Sequence, residues 1–119
     1  MIGQLVYADV FGAPDRARLD DTRFLSEALQ VACRRGHATV LQTRTHRFEP
    51  QGVTAFCVLA ESHAAVHTYP EEAGYMLDVF TCGQQADARL IAESVVDLLG
   101  GTARYRQVER GAHVQVSAA

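Results

Sequence analysis

Two amphipathic segments near opposite ends of the chain constrain its fold more than any other feature. Apolar side chains recur at helical spacing over residues 22–35 and again over residues 86–99. The two stripes are Leu25, Ala28, Leu29 and Ala32, then Ala88, Ile91, Ala92, Val95 and Leu99. Asp20 or Asp21 can cap the first helix, and Gly36 is predicted to end it in a left-handed conformation. Each stripe has to be buried against a layer that the rest of the chain supplies.

Six strand-like segments can supply that layer. They are predicted over residues 2–10, 38–47, 53–61, 64–68, 75–81 and 102–109. Short turns join the middle strands, which makes them antiparallel, and two helices can cover one face of such a sheet. The predicted fold class is therefore α+β, a single two-layer sandwich domain over residues 1–119 with the order β-α-β-β-β-β-α-β. The segment 53–60 is apolar at nearly every position, so we expect a central strand covered on both faces, or on one face by a partner subunit.

Composition and charge exclude several classes of protein. The 119 residues carry 11 Lys and Arg against 14 Asp and Glu, a formal net charge of −3, so no nucleic-acid partner is expected. The apolar runs are far shorter than a bilayer span, and the first residues do not resemble a signal peptide, so no membrane partner is expected either. Cys33, Cys57 and Cys82 form no CxxC pair, which favours a reducing cytoplasm, and the first two are expected to be buried.

Ionisable side chains collect directly after the third strand-like segment. Residues 61–67 include Ser62, His63 and His67, and Cys82 lies fifteen residues beyond His67, after the segment 75–81. In one interpretation Ser62 and His63 simply turn the chain, and His67 is a partly buried histidine. In a second, His63, His67 and Cys82 bind zinc, although a closed structural site needs four ligands. In a third, Ser62 is a hydrolase nucleophile, although it lacks the Gly-x-Ser-x-Gly turn that presents such a serine.

A fourth interpretation comes from resemblance to a known family. The runs that carry it are His46–Val53, Leu59–His63, His67–Glu71, Asp78–Gly83 and Glu109–Gly111. In order and spacing they are similar to the bacterial S-adenosylmethionine decarboxylase proenzyme family, and the similarity extends from Gly3 to Gly111. Several separated motifs in register are more specific than any one of them, so this interpretation displaces the other three.

Members of that family make their own cofactor, and the resemblance implies the same here. The Ser62 hydroxyl attacks the carbonyl of Glu61, and elimination and hydrolysis then leave a pyruvoyl group at the start of residues 62–119, with residues 1–61 as a second chain. His67 resembles the family's processing base, and Cys82 resembles its proton donor in decarboxylation. The pyruvoyl ketone forms a Schiff base with the substrate amine and acts as an electron sink, so neither a metal nor a dissociable cofactor is implied.

The resemblance also implies where the substrate binds. Phe48, Tyr69 and Glu71 match positions at which the family holds adenine with aromatic side chains and ribose with a glutamate. The loop around them departs from the family pattern, because Tyr69 stands where a tryptophan is usual and Glu72–Gly74 replaces Tyr-Gly-Tyr. Thr54 stands where a serine is common, which keeps the hydroxyl.

Taken together, the resemblance implies a cytoplasmic homodimer of processed protomers that decarboxylates S-adenosylmethionine for spermidine biosynthesis. Two alternatives remain open. One is a pyruvoyl decarboxylase of the same fold that acts on a basic amino acid such as ornithine or arginine, which the added carboxylate of Glu72 could favour. The other is a non-catalytic relative that folds and dimerises.

Overall fold

The computed structural model describes residues 3–111, and the order of elements in this range is the predicted one. The elements are β1 (Gly3–Phe11), α1 (Thr22–Arg35), β2 (Val40–Arg47), β3 (Val53–Leu59), β4 (Ser62–Tyr69), β5 (Gly74–Cys82), α2 (Ala88–Leu99) and β6 (Thr102–Arg110). Short 3₁₀ turns lie at Arg18–Asp20 and Pro70–Glu72. The predicted start of the first strand at residue 2 lies outside the described residues.

The strands form one antiparallel sheet in the order β2-β3-β4-β5-β1-β6. Short turns join β2 to β5 in sequence, so these four strands lie side by side as a meander. The first strand does not continue this series, because β1 lies between β5 and β6 and pairs with both. The predicted two-layer α+β class is confirmed.

Both helices pack on the same face of the sheet. α1 covers the half formed by β2, β3 and β4, and α2 covers the half formed by β1 and β5. The predicted stripes are the buried faces of the two helices. They meet a layer of small and branched side chains from the sheet, including Val6, Ala8, Cys57, Leu77 and Val79, each at most 1% exposed. Cys33 and Cys57 are buried in this core, as predicted.

The second face of the sheet is open in the single chain. Burial alternates along β3: Val53, Ala55, Cys57 and Leu59 face the helices and are buried, while the residues between them are half-buried. The prediction that β3 is covered on both faces within the chain is therefore wrong, and β3 lies next to the edge strand β2 rather than at the centre of the sheet. We call the face opposite the helices the open face. Cover by a partner subunit stays a prediction.

The ends of α1 correct one further prediction. Asp21 caps the helix, since its carboxylate accepts a hydrogen bond from the Phe24 backbone N–H at 3.0 Å. Gly36 ends α1 but is not left-handed, because its φ is −87° and the residue with positive φ is His37, at 65°. A Cβ at position 36 would lie 2.2 Å from Cγ1 of Ile91. Glycine is therefore needed here because α1 and α2 approach closely, not because of its own backbone conformation.

Candidate active site

Glu61, Ser62 and Cys82 meet at one end of the sheet, and we call them the serine–cysteine cluster. Leu59 pairs with Ser62, so Ala60 and Glu61 are the two turn residues of the β3–β4 hairpin. Glu61 has a φ of 61°. A left-handed conformation costs a residue with a side chain about 1–2 kcal/mol. The peptide bond between Glu61 and Ser62 therefore lies next to a strained residue in an exposed turn.

Cys82 contacts both groups that would have to react in this cluster. Its thiol donates a hydrogen bond to the Glu61 carbonyl oxygen at 2.8 Å. Its backbone N–H donates to Ser62 Oγ at 3.2 Å, and its Sγ lies 3.8 Å from the same oxygen. A donor on a carbonyl oxygen polarises the carbonyl carbon and stabilises negative charge that develops on the oxygen. The arrangement thus activates the Glu61 carbonyl beside the Ser62 hydroxyl.

His67 lies far along the same strand from this cluster. Five residues of extended strand separate it from Ser62, which at the usual rise corresponds to about 16 Å between their Cα atoms. Its ring is held on both sides, with Nδ1 3.1 Å from Thr54 Oγ1 and Nε2 3.1 Å from Asp78 Oδ2. The structure therefore brings Ser62 and Cys82 together but does not bring His67 to them within one chain.

The predicted substrate-binding side chains surround His67 instead. A cavity of about 430 Å³ is lined by Phe48, His67, Tyr69 and Glu71, together with the β2–β3 turn, and we call it the histidine pocket. Phe48 is 47% exposed and Tyr69 is 39% exposed, so both ring surfaces are available to a ligand. The pocket thus combines aromatic surface, a carboxylate and an imidazole.

Asp20 fixes the turn that forms one wall of the histidine pocket. Its carboxylate accepts hydrogen bonds from the Arg47 guanidinium at 2.7 Å and from the Gly52 backbone N–H at 2.8 Å. These bonds hold the pKa of Asp20 below its usual value, the Arg47 bond contributing most. Sequence reasoning treated Asp20 as a possible helix cap and missed this role, because the contact joins residues distant in the chain.

Glu72 lies outside the histidine pocket. It lines a neighbouring cavity, also of about 430 Å³, with Asp9, Phe11 and Met76, and the two cavities share Tyr69. Of the two departures from the family pattern with large side chains, Tyr69 lines the histidine pocket and Glu72 lies next to it.

The zinc and hydrolase interpretations find no support in this arrangement. The His63 ring stacks with two phenylalanine rings, His67 contacts Thr54 and Asp78, and the Cys82 thiol contacts the Glu61 carbonyl. Within residues 3–111 no group of three or more His, Cys, Asp or Glu side chains is arranged to hold a metal ion. Ser62 begins a strand after a hairpin turn, not a helix after a strand.

No helix in the described range is long and apolar enough to cross a membrane.

Comparison with known proteins points to one family. A sequence model of a family described as S-adenosylmethionine decarboxylase matches residues 4–111. The S-adenosylmethionine decarboxylase proenzyme of Prochlorococcus marinus (strain MIT 9313) is 42% identical over 100 residues, covering 84% of this chain and 79% of that protein. The proenzyme of the same name from Synechococcus sp. (strain WH7803) is 46% identical over 83 residues, covering 70% of this chain and 64% of that protein, so the match spans less than two thirds of its length.

A solved structure supports the same relationship. The adenosylmethionine decarboxylase of Aquifex aeolicus superimposes with a TM-score of 0.84 at 28% sequence identity, covering 92% of this chain and 91% of the Aquifex chain. The two chains therefore share one fold over most of their length.

Proposed function

Because this chain belongs to the S-adenosylmethionine decarboxylase family, we propose that it decarboxylates S-adenosylmethionine with a pyruvoyl group that it makes from its own Ser62. One observation supports this most directly: Cys82 contacts both the Glu61 carbonyl and the Ser62 hydroxyl at a strained turn. Ser62, Glu61 and Cys82 are arranged as formation of a pyruvoyl group requires, since the serine from which the group would form lies next to a polarised carbonyl.

The first chemical step is an acyl shift from nitrogen to oxygen. Ser62 Oγ attacks the Glu61 carbonyl carbon, and the Cys82 thiol stabilises the charge that develops on the carbonyl oxygen. Collapse breaks the peptide C–N bond, passes the hydroxyl proton to the departing nitrogen, and leaves an ester and a free amine on residue 62. A base then removes the Ser62 α-proton, and the Glu61 carboxylate leaves as the C–O bond breaks. Hydrolysis of the resulting dehydroalanine releases ammonia and leaves the pyruvoyl group on residues 62–119, with residues 1–61 as the second chain.

The base in this scheme is His67 of a second copy of the chain. Within one protomer His67 is about 16 Å along the strand from Ser62, too far to take its proton. The serine–cysteine cluster and the histidine pocket lie toward opposite ends of the sheet. A two-fold dimer that brings the cluster end of one sheet to the pocket end of the other would give each Ser62 a base from its partner. The proposed assembly is thus a homodimer with two composite sites, and a partner sheet supplies the cover that the open face lacks.

A pyruvoyl group formed at residue 62 would supply a ketone that can bind the substrate amine and an electron sink for the loss of CO₂. The side chains of the protein bind the substrate and protonate the product. Phe48 and Tyr69 offer ring faces to the adenine and to the sulfonium cation, and the Glu71 carboxylate can accept hydrogen bonds from ribose hydroxyls. Cys82, which already touches the position from which the pyruvoyl group forms, holds the proton for the product.

The geometry favours this substrate over ornithine or arginine. A nucleoside needs a pocket of the size and aromatic character found around Phe48, and Glu72, the carboxylate that could recruit a basic amino acid, lines the neighbouring cavity instead. The product would supply aminopropyl groups for spermidine synthesis. The three free cysteines fit a cytoplasmic location.

Intact mass under denaturing conditions tests the first part of the proposal. The wild-type chain should separate into residues 1–61 and a pyruvoyl-terminated 62–119, whereas Ser62→Ala should stay whole. Cleavage of Ser62→Ala would remove Ser62 from the mechanism, and a wild-type chain that stays whole would favour the non-catalytic alternative.

Product analysis tests the substrate. The cut enzyme is offered S-adenosylmethionine, ornithine and arginine separately, and mass spectrometry follows each decarboxylated product. Turnover of S-adenosylmethionine alone is expected, and turnover of a basic amino acid alone would establish the alternative. Light scattering should show a dimer, and a monomer of unchanged activity would contradict the composite site.

A further inference from the structure

His63 lies in the middle of a row of three rings on the open face of the sheet, which we call the aromatic row. Its imidazole centroid is 5.6 Å from that of Phe56, with an interplanar angle of 9°. The Phe80 centroid lies 6.2 Å away on the other side, with an angle of 29°. Both separations are typical of offset-stacked rings. The row therefore joins β3, β4 and β5 through side chains as well as through backbone hydrogen bonds.

The position of Phe80 in this row is fixed from a fourth strand. Gly3 of β1 pairs with Cys82, and a Cβ at position 3 would lie 2.4 Å from two atoms of the Phe80 ring. The absence of a side chain at Gly3 leaves the space that this ring fills. The ring is thus held between His63 and the β1 backbone.

The aromatic row is one step away from the serine–cysteine cluster. His63 is joined to Ser62 by a peptide bond and pairs directly with Phe80. Phe80 precedes Cys82 by two residues on β5, so the two side chains are on the same face of that strand. The contact between His63 and Phe80 therefore lies directly beside the point where Ser62 Oγ and Cys82 Sγ are 3.8 Å apart.

Cleavage would change what holds residue 62 in place. In the uncut chain it is tied to Glu61 on one side and to His63 on the other. In the cut chain it is a terminus, and strand ends fray unless they are tied down. A reacting group has to be held closely, since a displacement of about 1 Å can cost about a hundredfold in rate. On the assumption that the proposed function holds, we propose that His63 is a positioning residue, whose stacking between Phe56 and Phe80 holds the group derived from Ser62 against Cys82 after cleavage.

Three variants at one position separate this role from others. His63→Phe keeps the stacked ring, His63→Leu keeps a side chain of similar bulk without it, and His63→Ala removes both. Intact mass first establishes that each variant is cut to completion. We then expect kcat with S-adenosylmethionine to fall by about tenfold in His63→Ala and His63→Leu, because residue 62 is misplaced. KM should stay near the wild-type value, since the substrate pocket is built from other residues, and His63→Phe should keep kcat within about twofold of wild type.

Hydrogen exchange distinguishes positioning of the cut terminus from a general contribution of His63 to the stability of β4. In the cut enzyme, His63→Ala should speed exchange of the backbone amides of residues 63–65. In the uncut Ser62→Ala background the same substitution should change it little, because residue 62 is still tied at both ends. Equal acceleration in both backgrounds would show general loosening of the strand and would overturn the proposal.

The remaining outcomes are also decisive. A cut His63→Ala enzyme with wild-type kcat overturns the inference, and so does a His63→Phe enzyme as slow as His63→Ala, since the imidazole itself would then be needed. If His63→Ala does not fold, Phe80→Leu removes the direct partner and must show the same fall in kcat. A wild-type chain that neither splits nor decarboxylates overturns the proposed function, and the inference with it.

Discussion

Two variants that are each unable to cut themselves should restore cleavage when they share a dimer. Ser62→Ala lacks the attacking hydroxyl, and His67→Ala lacks the base. Because Ser62 and His67 are about 16 Å apart along β4, the base that serves one chain should come from its partner. A mixed dimer then contains one site with both groups intact and one site with neither. Random pairing makes about half of the dimers mixed, so about half of the His67→Ala chains should be cut and none of the Ser62→Ala chains.

The assay is co-expression of the two variants with different tags, followed by intact mass of dimers isolated through both tags. In these mixed dimers nearly every His67→Ala chain should be cut. A matched control pairs wild type with the double variant Ser62→Ala/His67→Ala, in which the wild-type chain of a mixed dimer should stay whole. Whole His67→Ala chains in the mixed dimer, or a cut wild-type chain in the control, would place the base in the same chain as the serine and refute the composite site.

Three further predictions concern residues that hold the two sites. Cys82→Ala should slow cleavage by about a hundredfold, as loss of one donor to a developing oxyanion usually does. Cys82→Ser keeps a donor to the Glu61 carbonyl, so a time course of intact mass should show that it is cleaved faster than Cys82→Ala. Asp20→Asn should lower the melting temperature at pH 7, because the lowered pKa of Asp20 means that its charge stabilises the folded state above the ordinary carboxyl pKa. That difference from wild type should begin to shrink as the pH falls below about 4, the ordinary carboxyl pKa, and should vanish once the folded-state carboxylate is protonated at lower pH. A constant difference would show that the charge is not responsible. Gly36→Ala should destabilise the fold by about 1–3 kcal/mol in denaturant titrations, since the new methyl group would overlap Ile91, and an unchanged midpoint would contradict the close helix contact.

The helices and strands could be predicted from sequence because their signals are local. The stripe that includes Leu25 and Leu29 needs nothing beyond helical spacing, and the structure buries it as expected. The function of Gly36 could not be found in the same way. Its sequence context, at the end of a helix after two arginines, is typical of a left-handed cap, whereas the actual requirement comes from Ile91 on another helix. Contacts between segments that are distant in the chain decide whether such a position requires glycine.

The same limit applies to the candidate site. The motifs singled out Ser62, His67 and Cys82, but their distribution over the sheet depends on strand register. Thr54 faces His67 only because β3 pairs with β4 in this register, and Asp78 reaches the ring from the other neighbouring strand. Spacing along the chain does not show that Thr54 and Asp78, which lie on two other strands, contact the ring of His67.

The strand order would also keep a chain cut in its middle as one folded unit. The proposed cleavage after Glu61 would assign β1, β2 and β3 to one fragment and β4, β5 and β6 to the other. Because the sheet order is β2-β3-β4-β5-β1-β6, β1 of the first fragment lies between two strands of the second.

Three of the five strand pairings in the sheet therefore join the two fragments: β3 with β4, β5 with β1, and β1 with β6. The helices share one core between the fragments as well, since α1 belongs to the first fragment and packs on α2 of the second. The proposed cut lies between the last turn residue, Glu61, and the first residue of β4, Ser62, so it would break a backbone bond outside the strand pairings. We therefore expect the cut chains to elute together on native size exclusion and to separate in denaturant. Separation under native conditions would contradict the interlocked sheet.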